Sequence, residues 1–389
     1  MRTAITLFFL VSLLCSSLSA ATLTQAQKDQ LKTLLPGVTL SDSTIEKLED
    51  VFYTRDMPVR SRLKAISQMV GLDQMPAGST LKRTICIWDI GGRNGPVFNA
   101  AMEQRALAVE YGINLDMVPY TNETVMVDEF KAGRCDAALM SGLRARQFNL
   151  YSGSVDAIGA VPSQKHMQTL LQVLSHPRQA GHMVQGDYVV MGIFPAGAAH
   201  IFVNDRSISS LAKAAGKRVA VLDYDETQAE MVAAIGATPV TTDIVSAPNK
   251  FNNGQIDILP APLVAYELLE LYKGMSPDGG VVDYPLTQLS MQLIGRLDKF
   301  PNEVAQLIRE ASYEAYPEVI KRIEQETRRV PDRWMIAIPD KDKREYEVMM
   351  QDARDALRAQ KYYSADMLSL QRKIRCKFDP ARSECSITE

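Results

Sequence analysis

Along the chain the apolar positions change their period several times. Ile85-Cys86-Ile87-Trp88-Asp89-Ile90 is a short, almost continuous apolar run of the length of a buried strand. Glycines 91, 92 and 95 follow as a turn, and Pro96 suits the first position of a helix reaching about Tyr111. Residues 113–118 predict a second strand, 125–132 a second helix, and Gly133 leads into a third strand at 135–140. The same rhythm restarts later in the chain. Strands are predicted at 188–194, 199–203, 218–222, 238–241 and 256–259. Helices at 207–215, 226–235 and 247–253 lie between them, ended by Gly216, Gly236 and Gly254. Strands alternating with helices of this length mark βαβ units and a parallel sheet, so two separate runs predict two α/β lobes. A strand at 289–294 returns the chain to the first lobe.

Both ends carry helical periodicity instead. Leu31, Leu34 and Leu35 recur at helical spacing, Ser43-Thr44-Ile45-Glu46 reads as a capping box, and Leu48, Val51 and Phe52 share a face. Pro36-Gly37 and Asp56-Met57-Pro58 punctuate this part, and Gly78-Ser79 closes it. Val304, Leu307, Ile308 and Ala311 line one face of a later helix, which Pro317 should kink or break before 319–329. A charged helix is predicted from 341 to 375, with Met349, Met350, Ala353 and Leu357 spaced for packing. The organisation expected is therefore 1–21 leader, 22–80 helical extension, 84–187 plus about 289–300 lobe 1, 188–288 lobe 2, and 301–389 bridging and C-terminal helices.

The leader assignment rests on three features: Arg2, an apolar run from Ala4 to Leu14, and small residues ending in Ser19-Ala20-Ala21 before Thr22. That layout is a secretory signal peptide. A spanning helix needs about 20 apolar residues, more than this run supplies. Removing Arg2 with the leader leaves 42 basic against 46 acidic residues, a net charge of −4 on 368 residues. The mildly acidic balance argues against a nucleic-acid partner. Beyond Cys15 of the leader, four cysteines remain: Cys86, Cys135, Cys376 and Cys385. An exported chain can join them as two disulfides, and buried free thiols are the alternative. The Cys376–Cys385 spacing around Asp379-Pro380 suits a bridge that pins the C-terminal tail.

The search for chemistry is mostly negative. The sequence has no Gly-x-Ser-x-Gly elbow, Walker loop or His-Glu-x-x-His, and its four histidines (166, 176, 182 and 200) lack metal-ligand spacing. No cofactor, metal site or catalytic set is expected. Gly91-Gly92-Arg93-Asn94-Gly95 lacks the order of a phosphate cradle and reads as a loop whose backbone approaches a ligand or the opposite lobe. In open parallel sheets ligands bind beyond the carboxyl ends of the strands. That rule selects Asn94 after the first strand, Tyr120 and Asn122 after the second, and Arg144 and Arg146 after the third. In the second lobe it selects Asp223, Tyr224 and Asp225, with Thr227 at the next helix start; Asp223 and Asp225 alternatively serve as loop and cap residues. Two guanidinium groups can hold a carboxylate bidentately. Alternatively one or both pair structurally with carboxylates such as Asp136 or Asp156. Tyr120 and Tyr188 are candidate flat walls, or simply half-buried rings.

The segment Gly236-Ala237-Thr238-Pro239-Val240, followed by Asn253-Gly254-Gln255-Ile256-Asp257 and Pro262, resembles the second lobe of TRAP-transporter periplasmic solute-binding proteins. Lys131-Ala132-Gly133-Arg134-Cys135-Asp136 is similar to the first-lobe counterpart. The run from Gly142-Leu143-Arg144-Ala145-Arg146 through Ser152-Gly153-Ser154-Val155-Asp156 to Ala160 resembles a divergent branch of solute-binding proteins, some relatives of which carry labels as RND-type efflux components. The likeness spans about residues 84–330. It implies an α/β, two-lobed, type II-like periplasmic binding protein with extra helices at both ends. Crossing strands would join the lobes, a long helix would bridge them, and the first and third strands would lie side by side, letting Cys86 and Cys135 meet. The implied function is periplasmic capture of a small organic, conceivably anionic, ligand and delivery to inner-membrane transporter subunits. An envelope adaptor or efflux-associated interaction protein that kept the fold is the second reading. One position departs from the family: the arginine that clamps the ligand carboxylate, aligned on Gly216, falls on Ala220. Arg144 or Arg146 could replace it from the other lobe.

Overall fold

The computed structural model describes residues 23–34, 39–54, 56–74 and 81–386. The leader 1–21, Pro36-Gly37 and Gly78-Ser79 lie outside the described residues. Among the described residues, ten strands form one sheet: β1 Leu81–Trp88, β2 Ile113–Tyr120, β3 Ala137–Ser141, β4 Val184–Gln185, β5 Tyr188–Val203, β6 Arg218–Leu222, β7 Thr238–Thr242, β8 Ile258–Pro262, β9 Gly280–Arg296 and β10 Met335–Ile336. The main order is β2-β1-β3-β9-β5-β8-β6-β7, with β4 added to β5 and β10 to β9. The parallel pairs β1/β2, β1/β3, β6/β7 and β6/β8 come from the βα runs. The long antiparallel pair β5/β9 joins the two lobes.

In lobe 1, β3 pairs with the end of β9 from Ser141↔Met291 to Ala137↔Gly295, and that end pairs with the start of β5. In lobe 2, the end of β5 pairs with β8. Each crossing strand therefore belongs to both lobes, and a lobe boundary is a stretch of ribbon. Register shifts interrupt the ribbon between Val190 and Gly192, Pro195 and Gly197, and Ala199 and Ile201. Extra residues at such shifts bend and twist a strand, as turning a chain between two lobes requires.

Several predicted elements need correction. The strands expected at 188–194 and 199–203 are one, β5. The strand expected at 289–294 begins at Gly280, hidden in sequence by Pro285, which lies in the excursion 283–286 where β9 leaves its pairing with β5. The helix expected at 207–215 is only Leu211–Ala214. Before it, Asp205 Oδ1 accepts from Ser207 N at 2.8 Å, a local turn that competes with helix. The cap of the helix Asp42–Tyr53 is Ser41, accepting from Thr44 N, two residues before the predicted box. The charged C-terminal helix is two, Asp340–Ala359 and Ala365–Phe378, broken where Lys361 adopts φ 60° and Ser364 caps the second. Pro317 does break its helix, into Asn302–Glu314 and Tyr316–Thr327.

Separate apolar cores sit in the two lobes. In lobe 1, Met126, Phe130, Met140, Phe148, Leu170 and Leu174 are buried together; in lobe 2, Phe202, Phe251, Leu259, Leu271 and Met275 are. The helices Asn302–Glu314 and Tyr316–Thr327 pack along β5. Arg309, fully buried, donates to Val190 O at 2.6 Å, meeting a carbonyl freed by the first register shift. The N-terminal helices stack on the same bridging helix: Ile45, Leu48 and Phe52 cluster with Leu307, and Arg62 pairs with Glu310. The cysteines form two disulfides, Cys86–Cys135 with Cα atoms 5.8 Å apart and Cys376–Cys385 at 5.6 Å.

The glycine-rich loop after β1 has an internal partner. The buried Asp89 carboxylate accepts from Gly91 N, Val97 N and Phe98 N at 2.8, 2.7 and 2.9 Å. It therefore caps the helix Pro96–Glu110 with a negative charge at the positive end of the helix dipole. A Cβ on Gly95 would overlap this carboxylate, so the glycine is required by packing. Asp89→Ala, which orphans three backbone donors, is expected to cost about 2 kcal/mol in a urea titration.

Candidate functional site

The carboxyl ends of the parallel strands of both lobes face each other across the ribbon, and polar side chains gather there. Beyond β3, Ser141 caps the short helix Gly142–Ala145 by accepting from Arg144 N. Gly142 is forced: a Cβ there would overlap Ser290 Oγ of β9 and crowd Asp156. This tight turn aims Arg144 and Arg146 away from the lobe 1 core and toward lobe 2.

Arg144 lies with its Cζ 3.5 Å from the ring centroid of Tyr224, which follows β6 in the opposite lobe. Its Nη2 donates to Thr124 Oγ1 at 2.5 Å, and its Nε is 3.9 Å from Glu123 Oε2. Arg146 donates to Gly153 O at 3.3 Å, and its Nη1 is 3.9 Å from Asp225 Oδ2 of lobe 2. Its Cζ is 4.1 Å from the Tyr362 ring centroid and 5.1 Å from that of Tyr363. Tyr362 donates to Asp225 Oδ2 at 2.5 Å. The break between the two C-terminal helices thus inserts its tyrosines where the lobes meet. Both arginine side chains are only 11% exposed, so each cross-lobe contact is nearly dry.

Beneath the arginines lies Asp156, which accepts from Ser290 N at 3.0 Å and Ser290 Oγ at 2.5 Å. Ser152 donates to Gln292 Oε1 at 2.7 Å beside it. Burial pushes the Asp156 carboxyl up to about 7, against the pull of the Ser290 hydrogen bonds and of Arg146. Burial likewise pushes Glu123 up to about 7, although it accepts from Ser141 N at 2.7 Å. Burial also raises the phenols of Tyr224 and Tyr362, keeping both hydroxyls protonated.

Of eleven buried polar atoms without a hydrogen bond among the described residues, six lie at these strand ends: Trp88 Nε1, Glu123 Oε2, Arg144 Nε, Arg146 Nη2, Tyr224 OH and Thr242 Oγ1, of which Glu123 Oε2 and Arg144 Nε form a long ion pair. Trp88 and Thr242 are the last residues of β1 and β7; the others follow β2, β3 and β6. Buried polar groups are nearly always paired. The six at the strand ends are candidate contacts for a polar molecule.

Of the residues selected from sequence, Arg144, Arg146, Tyr224 and Asp225 are brought into this cluster. The carboxylate partners of the two arginines are Glu123 and Asp225 rather than Asp136, whose Oδ2 accepts from Thr84 N at 2.8 Å. Asn122 caps the helix Glu123–Lys131, accepting from Val125 N, beside Glu123. Asn94 is exposed in the turn after β1. Tyr120 ends β2, half-buried against the lobe 1 core with Glu129 and Arg134 as its charged neighbours. Tyr188 lies at the other end of lobe 1, its ring 4.8 Å from Phe148 and 5.4 Å from Phe130. Asp223 is exposed after β6, and Thr227 lines a groove of about 830 Å³ between the helices Glu226–Ala234 and Asp340–Ala359. Arg218 pairs with Asp257 at 2.7 Å at the start of β6, and Ala220 is buried within that strand. Glu123, Trp88, Thr242, Tyr362 and Tyr363 were not selected. The strand-end rule reaches the first three, while the two tyrosines were concealed inside a predicted helix.

Two lobes on a shared ribbon, with polar side chains converging from the strand ends, define a type II-like binding protein. Comparison with known proteins agrees. Residues 74–389 match the family model described as Solute-binding protein AdeT 1/2, and the chain belongs to that family. It is 39% identical over 303 residues to "Probable solute-binding protein AdeT1" of Acinetobacter baumannii, covering 78% of this chain and all of that protein. Among solved structures it is similar to a TRAP periplasmic solute-binding protein from Desulfovibrio salexigens with bound orotic acid (16% identity, TM-score 0.63, 76% of this chain and 99% of the other). Another is a TRAP periplasmic solute-binding protein from Bradyrhizobium in complex with galacturonate (17%, TM-score 0.60, 75% and 99%). These structures share its fold.

Proposed function

We propose that the protein is exported to the periplasm and captures a small polar organic molecule between its lobes, delivering it to inner-membrane transporter subunits. The observation that carries this reading is the pair Arg144 and Arg146. Both leave lobe 1, reach residues of lobe 2, and keep a buried N–H without a hydrogen-bond partner. A ligand held by such groups would bind the lobes to one another, coupling occupancy to closure about the β5/β9 ribbon. Orotic acid and galacturonate, bound by two proteins of this fold, both carry a carboxylate, and the two guanidinium groups suit one here. The leader-like start of the sequence and the family assignment support the periplasmic location. The reading is of binding and release, with no chemical step.

Calorimetric titration of refolded, ligand-free protein against a metabolite library tests it. One-site binding is expected, weakened about 10- to 100-fold per arginine in Arg144→Ala and Arg146→Ala, the range for a lost charged hydrogen bond. Absence of binding by the wild-type protein, or equal binding by both variants, would overturn the reading.

A further inference from the structure

Resting on that reading, we infer that the ligand is a zwitterion of the α-amino-acid type, carrying an ammonium group as well as a carboxylate. The charge inventory of the cluster is the reason. A site built for a simple organic anion presents positive charge in excess. Here each guanidinium already faces a carboxylate at 3.9 Å, Arg144 with Glu123 and Arg146 with Asp225. Asp156 lies below, buried and within the field of Arg146. Asp225 and, in its ionised form, Glu123 already oppose the two guanidinium charges, so a ligand bringing only negative charge would meet a cluster without positive charge in excess.

The unpaired atoms have both signs of hydrogen-bonding character. Arg144 Nε, Arg146 Nη2 and Trp88 Nε1 can only donate, and Glu123 Oε2 in its ionised form can only accept. The Tyr224 hydroxyl can do either. A ligand carboxylate satisfies the arginine donors and leaves the Glu123 oxygen with its long ion pair to Arg144 and no hydrogen bond; an adjacent ammonium supplies one. Glu123 is only 5% exposed. Its carboxyl, raised by burial, is also the group that a nearby ammonium would return to the charged form. The faces of Tyr224 and Tyr362 are covered by the two guanidinium groups. The ammonium is therefore assigned to the carboxylates Glu123 and Asp225 and not to an aromatic cage.

The test uses refolded, ligand-free protein, with the twenty L-amino acids, their deaminated acids, succinate and galacturonate as probes, read by thermal shift and calorimetry. At least one amino acid is expected to bind at least tenfold more tightly than its deaminated acid. Glu123→Gln and Asp225→Asn, isosteric changes, should narrow that gap by weakening the amino acid more than its deaminated acid. An acid without an amino group binding as tightly as any amino acid would overturn the inference and leave ligand capture standing. So would a gap untouched by both substitutions. No binding by any probe of either class would overturn the inference, and the capture reading falls only if the wider library also fails.

Discussion

Replacing Cys86 and Cys135 together by alanine is expected to lower the free energy of unfolding by about 4 kcal/mol. The two residues are 49 apart in sequence, and restricting a loop of that length in the unfolded chain is worth about that amount in the chain-entropy model. The bridge joins β1 to the segment entering β3, neighbouring strands whose carboxyl ends lead to Asp89 and Arg144. Both cysteines are buried, so alanine also removes packing and adds to the loss. Cys376 and Cys385 are only nine apart in sequence, and their removal should cost about 2.5 kcal/mol by the same relation. Urea titrations of oxidised wild type and the two double variants check both values. A loss below about 1 kcal/mol for Cys86 and Cys135 would show that the bridge does not organise lobe 1.

Asp156→Asn is expected to gain stability relative to wild type as pH rises from 4 to about 7.5. The folded-state pKa of Asp156 is pushed up to about 7 from an ordinary 3.8. The folded chain therefore binds this proton more tightly than the unfolded chain does. The associated stabilisation is complete below about pH 4 and lost as pH rises through about 7. Ionisation at neutral pH costs up to about 4 kcal/mol, a cost that asparagine avoids while still accepting from Ser290 N. Arg146, Tyr363 and Ser290 face this carboxyl and remain in the variant. Burial holds His166 down to about 4, which acts in the opposite sense over the same window. The wild-type curve is thus a balance, and the difference between wild type and Asp156→Asn isolates the carboxyl. Denaturant titrations at several pH values measure it; a constant difference across the range would contradict the assignment.

The two βα runs were legible because each strand is short, apolar and bounded by glycine, and because the intervening helices carry their own period. β5 and β9 were less legible. Their register shifts and Pro285 interrupt the strand pattern at the points where the ribbon turns between lobes, so their full length appears only once both partners are present. In the site, Arg144, Arg146, Tyr224 and Asp225 were readable from the strand-end rule, yet their pairing across the lobes was not. Glu123 looks like an ordinary first-turn acid of a helix, and Asp225 like an ordinary cap. Each acquires its role from an arginine elsewhere in the chain. Tyr362 and Tyr363 were hidden because the helix predicted from 341 to 375 runs across them, and the break shows only as Lys361 in a left-handed conformation and Ser364 as a cap.

The most direct measurement is the electron density between the lobes in crystals of protein purified from the periplasm without a refolding step. The account predicts one small molecule bounded by Arg144, Arg146, Tyr224, Glu123 and Asp225, with hydrogen bonds to Arg144 Nε and Arg146 Nη2. A well-ordered ligand located elsewhere, such as the groove beside Thr227 and Met231, would contradict it. So would a cleft in which ordered water alone meets both arginines.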